Sequence, residues 1–137
     1  MRKGRNTELQ WPDFYPENCP LAEAKPASGT VYRLVRRDPA QPKDFIPLFV
    51  ERPGFFENKS INEVCQGCGV SVCRDLQDIM KLQKSSGKMR KRQIAEAELN
   101  PTLGVIQHTP SRKYKTHHTW WVPIGEKPWI VFNVINE

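Results

Sequence analysis

The sequence predicts an α+β fold: a small, mainly antiparallel sheet with a two-helix insertion and an extended N-terminal arm. Strand-like segments rich in β-branched and aromatic residues occur in both the first and the last third of the chain, and two helix-like segments lie between them. Four of the 12 prolines fall in the first 28 residues, which disfavours regular structure there. With 137 residues the chain has room for one core. We therefore predict a proline-rich arm over residues 1–28 and a single α+β domain over residues 29–137.

The strands are predicted from their apolar content and from the turn residues that flank them. The first covers residues 30–36 after Gly29, and a brief one covers 70–73. Three more are predicted at 104–107, 116–122 and 129–135. A six-residue turn with Gly125 inside it separates the last two, which predicts a hairpin. The final strand is apolar on both faces, so we expect it to be central or well covered.

Capping residues and apolar spacing predict the helices. Ser60 and Glu63 have the spacing of a capping box, so a short helix is expected to begin there. A second helix is predicted over about 74–84, with its acidic residues first and its lysines last, as the helix dipole favours. A third is predicted over about 88–99, ending at Asn100-Pro101.

The net charge of +6 is concentrated in one segment, residues 81–92, which contains no acidic residue. Its basic residues are Lys81, Lys84, Lys88, Arg90, Lys91 and Arg92. Lys88, Arg90, Lys91 and Arg92 would open the helix predicted at 88–99, where they oppose its dipole but suit an anion. A second basic stretch, Arg112, Lys113 and Lys115, surrounds Tyr114. The first functional hypothesis is therefore a domain that binds DNA, RNA or another polyanion through phosphate contacts. The alternative interpretation is an ordinary solvated surface.

A second hypothesis is a small enzyme that acts on nucleic acid or on a nucleotide, such as a nuclease. Its candidate catalytic residues are Arg33, Ser71, Tyr114, His117 and His118. A cation in an apolar strand needs a carboxylate, a phosphate or solvent, and a histidine beside basic residues can transfer protons. On a strand, the two adjacent histidines would face opposite sides.

The order of Arg33 on the first strand, Gly69-Val70-Ser71 in mid-chain and then late strands resembles the layout of small ADP-ribosyltransferases. The resemblance implies an enzyme acting on a nucleotide. The chain departs from that layout at the catalytic acid, because no glutamate lies on a late strand except the terminal Glu137. The catalytic acid of such an enzyme therefore has no good counterpart here.

The cysteines leave two interpretations open. Cys65-Gln66-Gly67-Cys68-Gly69 resembles half of a zinc knuckle, and Cys73 follows, but the second paired half is missing. The alternative is a set of small buried thiols around a tight turn. We expect thiols or metal ligands rather than disulfides, and no cofactor other than a structural zinc.

The third hypothesis is an adaptor that binds a protein partner through the arm, whose prolines are interspersed with Trp11, Phe14 and Tyr15. No apolar stretch follows the basic residues 1–5, and no run is long enough to span a bilayer. We therefore expect no membrane association and a cytoplasmic location.

Overall fold

The computed structural model describes residues 9–135, and within them it shows an α+β fold with a seven-stranded antiparallel sheet, which confirms the predicted class. The strands are β1 Lys25–Pro26, β2 Gly29–Val35, β3 Val70–Cys73, β4 Gln93–Leu99, β5 Val105–His108, β6 His117–Trp121 and β7 Asn133–Val134. The α-helices are α1 Leu48–Glu51, α2 Ile61–Cys68, α3 Leu76–Gln83 and α4 Gly87–Arg90. The start of the predicted arm and Glu137 lie outside the described residues.

The sheet has the order β1-β5-β6-β3-β2-β4-β7, and its weakest junction lies between β2 and β3. β2 and β4 pair over seven positions, from Gly29↔Leu99 to Val35↔Gln93. In contrast, β2 and β3 pair at a single position, Tyr32↔Cys73. The two halves of the sheet therefore separate beyond that pair. Residues of the strands beside this gap form one wall of the site described below.

The main core packs around Trp120. Both Trp120 and its neighbour Trp121 are completely buried. Both indole N–H groups are satisfied: Trp120 Nε1 donates to the Leu103 carbonyl and Trp121 Nε1 to the Cys65 carbonyl, each at 2.8 Å. A buried indole needs such a partner. A smaller cluster, which includes Leu34, Cys73 and Ile79, packs α3 onto the sheet.

The capping box predicted at Ser60 is present and opens α2. The Glu63 N–H donates to Ser60 Oγ at 3.2 Å, and the Ser60 N–H donates to Glu63 Oε1 at 3.0 Å. The helix predicted over 74–84 is α3, with Asp75 as its cap, whose side chain accepts from the Gln77 N–H at 2.9 Å. Both predictions are confirmed, because caps and turn residues act locally.

The predicted helix over 88–99 is wrong beyond its first turn. Only Gly87–Arg90 is helical, and Gln93–Leu99 is strand β4, paired on both sides. Alanine and glutamate favour helix, but Ala95-Glu96-Ala97-Glu98-Leu99 also alternates apolar and polar residues. The alanines and Leu99 are buried in the core, so tertiary packing overrides the local preference.

The C-terminal hairpin predicted from strands 116–122 and 129–135 is also wrong. β6 confirms the first of these strands, but both of its edges are occupied, by β5 and by β3. Pro128–Ile130 forms a 3-10 turn, and the two-residue β7 pairs with β4 at the other edge of the sheet. The last strand is therefore an edge strand rather than a central one.

Residues 9–28 pack against the sheet domain at several points. The Ile124 N–H donates to the Gln10 carbonyl at 2.8 Å, and the ring of Phe14 stacks on that of Phe49. β1 pairs with β5, and Cys19 forms a disulfide with Cys65. The expectation of thiols or metal ligands is therefore wrong for this cysteine pair. The expected cytoplasmic location stays a prediction. Within residues 9–135, no helix has the length and apolar character needed to cross a membrane.

Candidate ligand-binding cleft

Two adjoining pockets of about 620 and 510 Å³ form a cleft beside the gap between β2 and β3. The strand wall of the larger, first pocket carries Arg33 from β2, Ser71 from β3, and His117 and Thr119 from β6. The opposite wall comes from α1, the 3-10 turn Pro53–Phe56 and α2, with side chains that include Leu48, Glu51, Phe55, Phe56 and Glu63. The second pocket shares Arg33 and Arg92 with the first.

Strand register places three polar side chains on one face of the first pocket. Ser71 pairs with Thr119, and paired residues in an antiparallel ladder point to the same side. His117 lies two residues before Thr119 on β6, so it shares that face. Gly69 lets β6 come close, because a Cβ there would collide with the Thr119 methyl group.

Arg33 lies in the gap between β2 and β3. Its Nε donates to the Asp44 carbonyl at 3.0 Å, and its Nη1 donates to the Ser71 carbonyl at 2.6 Å. Since a guanidinium has five N–H groups, these two bonds leave three donors for another acceptor. Among residues 9–135, no carboxylate lies within 4 Å of this guanidinium, so its charge is not ion-paired there.

The environment of Arg33 favours the arrival of an anion. Desolvation lowers the pKa of Arg33 to about 10, although the carboxylate of Asp44 opposes this shift and the charge of Arg92 adds to it. The group stays cationic at neutral pH, and a second cation faces the same cleft. A negatively charged ligand between the two guanidinium groups would offset both the desolvation and the repulsion.

The carboxylate of Asp44 is already engaged elsewhere. Its Oδ1 accepts from the Arg36 N–H at 2.8 Å and from Arg37 Nη1 at 3.2 Å, and its Oδ2 accepts from the Gln41 N–H at 2.9 Å. This buried carboxylate therefore holds the loop after β2 in place. It is ion-paired with Arg37 rather than with Arg33, although its charge still stabilises the Arg33 guanidinium from a greater distance.

His117 is held in one orientation by Thr109, the residue that follows β5. Its Nδ1 lies 2.8 Å from the Thr109 carbonyl, which can only accept a hydrogen bond, so Nδ1 carries the hydrogen of the neutral ring. Nε2 is then the basic nitrogen. The Thr109 hydroxyl lies 3.0 Å from the same Nδ1 and 2.9 Å from Thr119 Oγ1, so it connects two side chains of the pocket wall, His117 and Thr119.

Two of the five predicted catalytic candidates lie outside both pockets. The ammonium group of Lys81 lies over the ring of Tyr114, 5.4 Å from the ring centroid. His118 faces the other side of β6, where its Nδ1 lies 2.8 Å from the Thr116 carbonyl and its ring lies 4.9 Å from that of His108. Desolvation lowers the pKa of His118. The cleft thus gathers Arg33, Ser71 and His117, but not Tyr114 or His118.

The predicted phosphate contacts divide between the cleft and the open surface. Lys88 and Arg92 line the second pocket. The others are exposed: Lys81, Lys84, Arg90, Lys91, Arg112, Lys113 and Lys115. The predicted cationic helix start is wrong in its physical basis, because α4 has only four residues and no long dipole to oppose. The contact between Lys81 and Tyr114 does bring the two basic stretches together.

The cysteine site expected for zinc is not supported. Cys65 is bonded to Cys19, so its sulfur is not a thiolate, while Cys68 and Cys73 are buried free thiols. Desolvation raises the pKa of each free thiol to about 11, which disfavours the thiolate that zinc requires. In the described part of the chain, no three His, Cys, Asp or Glu side chains are grouped to hold a metal.

Sequence reasoning missed the wall formed by residues 46–67. Glu51, Phe55 and Glu63 reach the first pocket from α1, a 3-10 turn and α2, elements too short to show a clear periodicity. The isolated charges and aromatics between prolines were the available signal.

No protein-family model matches the chain, and neither a curated protein nor a solved structure matches it.

Proposed function

We propose that the cleft binds a phosphate-bearing ligand of nucleotide size, and that the chain is a small enzyme acting on a nucleotide or on nucleic acid. The observation that carries the proposal is the convergence of Arg33, Ser71 and His117, from three neighbouring strands, on one pocket. Arg33 has free donors and no carboxylate partner within the described residues, which is the state that an anion-binding arginine has before its ligand arrives.

The size and lining of the cleft support a ligand of this kind. A volume of about 620 Å³ falls within the range of small-molecule sites. Guanidinium groups match the geometry of phosphate oxygens, and Arg33 and Arg92 supply two of them. The exposed ring of Phe55 adds an aromatic surface at the first pocket, suitable for a nucleobase.

The same wall provides groups for proton transfer. With its Nδ1 hydrogen donated to Thr109, His117 has Nε2 available to accept a proton from an attacking hydroxyl group or water. Arg33 would stabilise the negative charge that develops on a phosphate oxygen. Glu51 and Glu63 line the facing wall, where Glu51, or Glu63 through the oxygen that does not accept from the Ser60 N–H, can orient a hydroxyl group.

Binding by calorimetry tests the first part of the proposal, with AMP and ATP as ligands. We expect Arg33→Gln and Arg92→Gln to weaken binding by about tenfold or more, because each removes a charge-assisted contact. Lys127→Gln, an exposed cation outside both pockets, is the control and should bind as the wild type does. Failure of both nucleotides to bind, or wild-type affinity in both arginine variants, would refute the nucleotide site.

Chromatography of the nucleotide products tests the second part. His117→Ala should keep nucleotide affinity within a few fold and lose turnover. The wild type should be incubated with ATP, a short RNA and a nicotinamide dinucleotide, the last because the alternative of an ADP-ribosyltransferase predicts that it is consumed. In that case the catalytic acid would be Glu51 or Glu63, and neither lies on a late strand. Absence of turnover of all three substrates would leave a binding protein and remove the enzyme.

Nucleic-acid binding at the open surface is a second candidate, favoured by the contact between Lys81 and Tyr114 that joins both basic stretches. Its signature is binding to generic DNA or RNA that weakens steeply as salt rises. We expect reversal of Lys84, Arg90 and Lys91 to abolish that binding, whereas reversal of Lys25 and Lys127 should not. A flat response to salt would remove this candidate. The adaptor alternative, with the arm as interface, stays a prediction.

A further inference from the structure

We infer that the second pocket is a phosphate subsite continuous with the first, so that the ligand carries a run of phosphate groups rather than one. This inference rests on the proposed function and specifies its substrate class. The two pockets are not separate sites, because Arg33, Leu48, Glu51 and Arg92 line both. One elongated ligand can therefore contact the shared arginines and extend to either side.

The second pocket has a large excess of positive charge. Arg36, Lys43, Arg52 and Lys88 line it in addition to the two shared arginines. Its carboxylates are those of Asp44 and Glu51. Asp44 already accepts hydrogen bonds from Arg37 and from two backbone N–H groups. Glu51 is the other carboxylate of this lining, and within residues 9–135 it forms no ion pair. The six cations of this lining outnumber its two carboxylates, and a second or third phosphate would bring the site closer to charge balance.

The two ends of the cleft differ in chemistry, which orients the ligand. The first pocket has Phe55, Phe56 and Pro47 in its lining, whereas the lining of the second, as far as the structure describes it, has no aromatic side chain. A nucleoside therefore fits the first pocket, its first phosphate fits between Arg33 and Arg92, and the following phosphates fit the second pocket. Lys43 and Lys88 both line that pocket and are exposed, so their flexible side chains can turn towards a phosphate chain without refolding.

The shared chemistry is a row of phosphates attached to a nucleoside, and it has two sources. A nucleoside triphosphate places its phosphates directly one after another, whereas an oligonucleotide places one phosphate per nucleotide. Both would use the cationic end of the cleft, so the test includes ATP and a 5′-phosphorylated trinucleotide beside AMP.

The test measures the ratio of the dissociation constant of AMP to that of ATP or of the trinucleotide. In the wild type we expect a ratio of about ten or more, since each added phosphate gains charge-assisted contacts. The double variant Lys43→Gln/Lys88→Gln should bring the ratio close to one. The matched control Lys25→Gln/Lys127→Gln removes the same charge from exposed lysines outside both pockets and should keep the wild-type ratio.

The outcomes separate this inference from the proposed function. A wild-type ratio near one, or an unchanged ratio in Lys43→Gln/Lys88→Gln, overturns the phosphate subsite while AMP binding still supports the nucleotide site. If no nucleotide binds, the proposed function itself fails. A high ratio for ATP alone identifies a nucleoside polyphosphate, and a high ratio for the trinucleotide identifies a nucleic-acid strand.

Discussion

The guanidinium of Arg33 donates to the backbone carbonyl of Ser71 at 2.6 Å, across the gap where β2 and β3 no longer pair. In a continuous ladder a backbone N–H of β2 would fill this role. A side chain that replaces it joins the two halves of the sheet and also leaves donors facing the cleft. The residue that bridges the sheet is thus the one that we propose as an anion-binding group.

Replacement of Arg33 by methionine should separate these two roles. The loss of its bonds to the carbonyls of Ser71 and Asp44 costs about 1–3 kcal/mol, while removal of an unpaired desolvated charge has the opposite sign. We therefore expect a small net change in the free energy of unfolding. Pyrophosphate should raise the Tm of the wild type and of the control Lys127→Met, but not that of Arg33→Met. An equal rise in all three proteins would contradict a role for Arg33 in anion binding.

Reduction of the disulfide between Cys19 and Cys65 should destabilise the fold. The bond spans a sequence separation of 46, for which the loss of chain entropy in the unfolded state corresponds to about 4 kcal/mol. Urea unfolding with and without dithiothreitol measures the difference. The double variant Cys19→Ser/Cys65→Ser should not respond to the reductant. Unchanged stability of the wild type, once all four cysteines titrate as thiols, would show that the bond contributes nothing.

The link between Asp78 and Thr116 should give the stability a dependence on acidic pH. The Asp78 carboxylate accepts from the Thr116 hydroxyl at 2.7 Å and from its N–H at 2.9 Å, and these bonds lower the pKa of Asp78. A lowered pKa in the folded state means that the stabilisation is present above the unfolded pKa of about 3.9 and is lost as the pH falls through the folded value.

Comparison of the wild type with Asp78→Asn checks this dependence. The variant should be less stable at pH 7, and the difference should shrink below about pH 4. The exposed Asp13, changed to asparagine, serves as the control and should leave the pH profile unchanged. A difference that stays constant from pH 7 to pH 2 would contradict a contribution from the ionised carboxylate.

Gly104 should tolerate no side chain, because two constraints act on it together. Its φ of 118° is unfavourable for other residues, and a Cβ would collide with the carbonyl oxygen of Trp121. Gly125 also has a positive φ, of 90°, but faces open space. We expect Gly125→Ala to cost about 1–2 kcal/mol and Gly104→Ala clearly more, as measured by urea unfolding. Equal losses would show that the strand beside Gly104 moves aside.

The predictable parts of the fold depend on contacts between residues close in the chain. Ser60 and Glu63 cap α2 within one turn, and Asp75 caps α3 in the same way. The segment 93–99 shows where such reasoning ends. Its alanines and glutamates suit a helix, and only the pairing of β4 with β2 on one side and β7 on the other makes it a strand.

The candidate site was predictable in its residues but not in its grouping. Arg33 was conspicuous as a cation in an apolar strand, and Ser71 and His117 could be identified as polar strand residues. These three side chains line the same pocket because the strands that carry them are neighbours in the order β6-β3-β2, which the sequence does not specify. His118 faces the other side of β6 because adjacent strand residues alternate, which the sequence did predict. Tyr114 lies in the loop before β6, outside both pockets.

The sequence by itself determined the α+β class, the capped helices, the first strand and the concentration of positive charge in residues 81–92. These depend on local propensity, on capping and on charge, which act over a few residues. The tertiary structure alone decided the disulfide between Cys19 and Cys65, the conversion of the predicted third helix into β4, and the gap that Arg33 bridges. Each of these depends on groups far apart in the chain, whose meeting is set by packing of the whole sheet around Trp120 rather than by any local pattern.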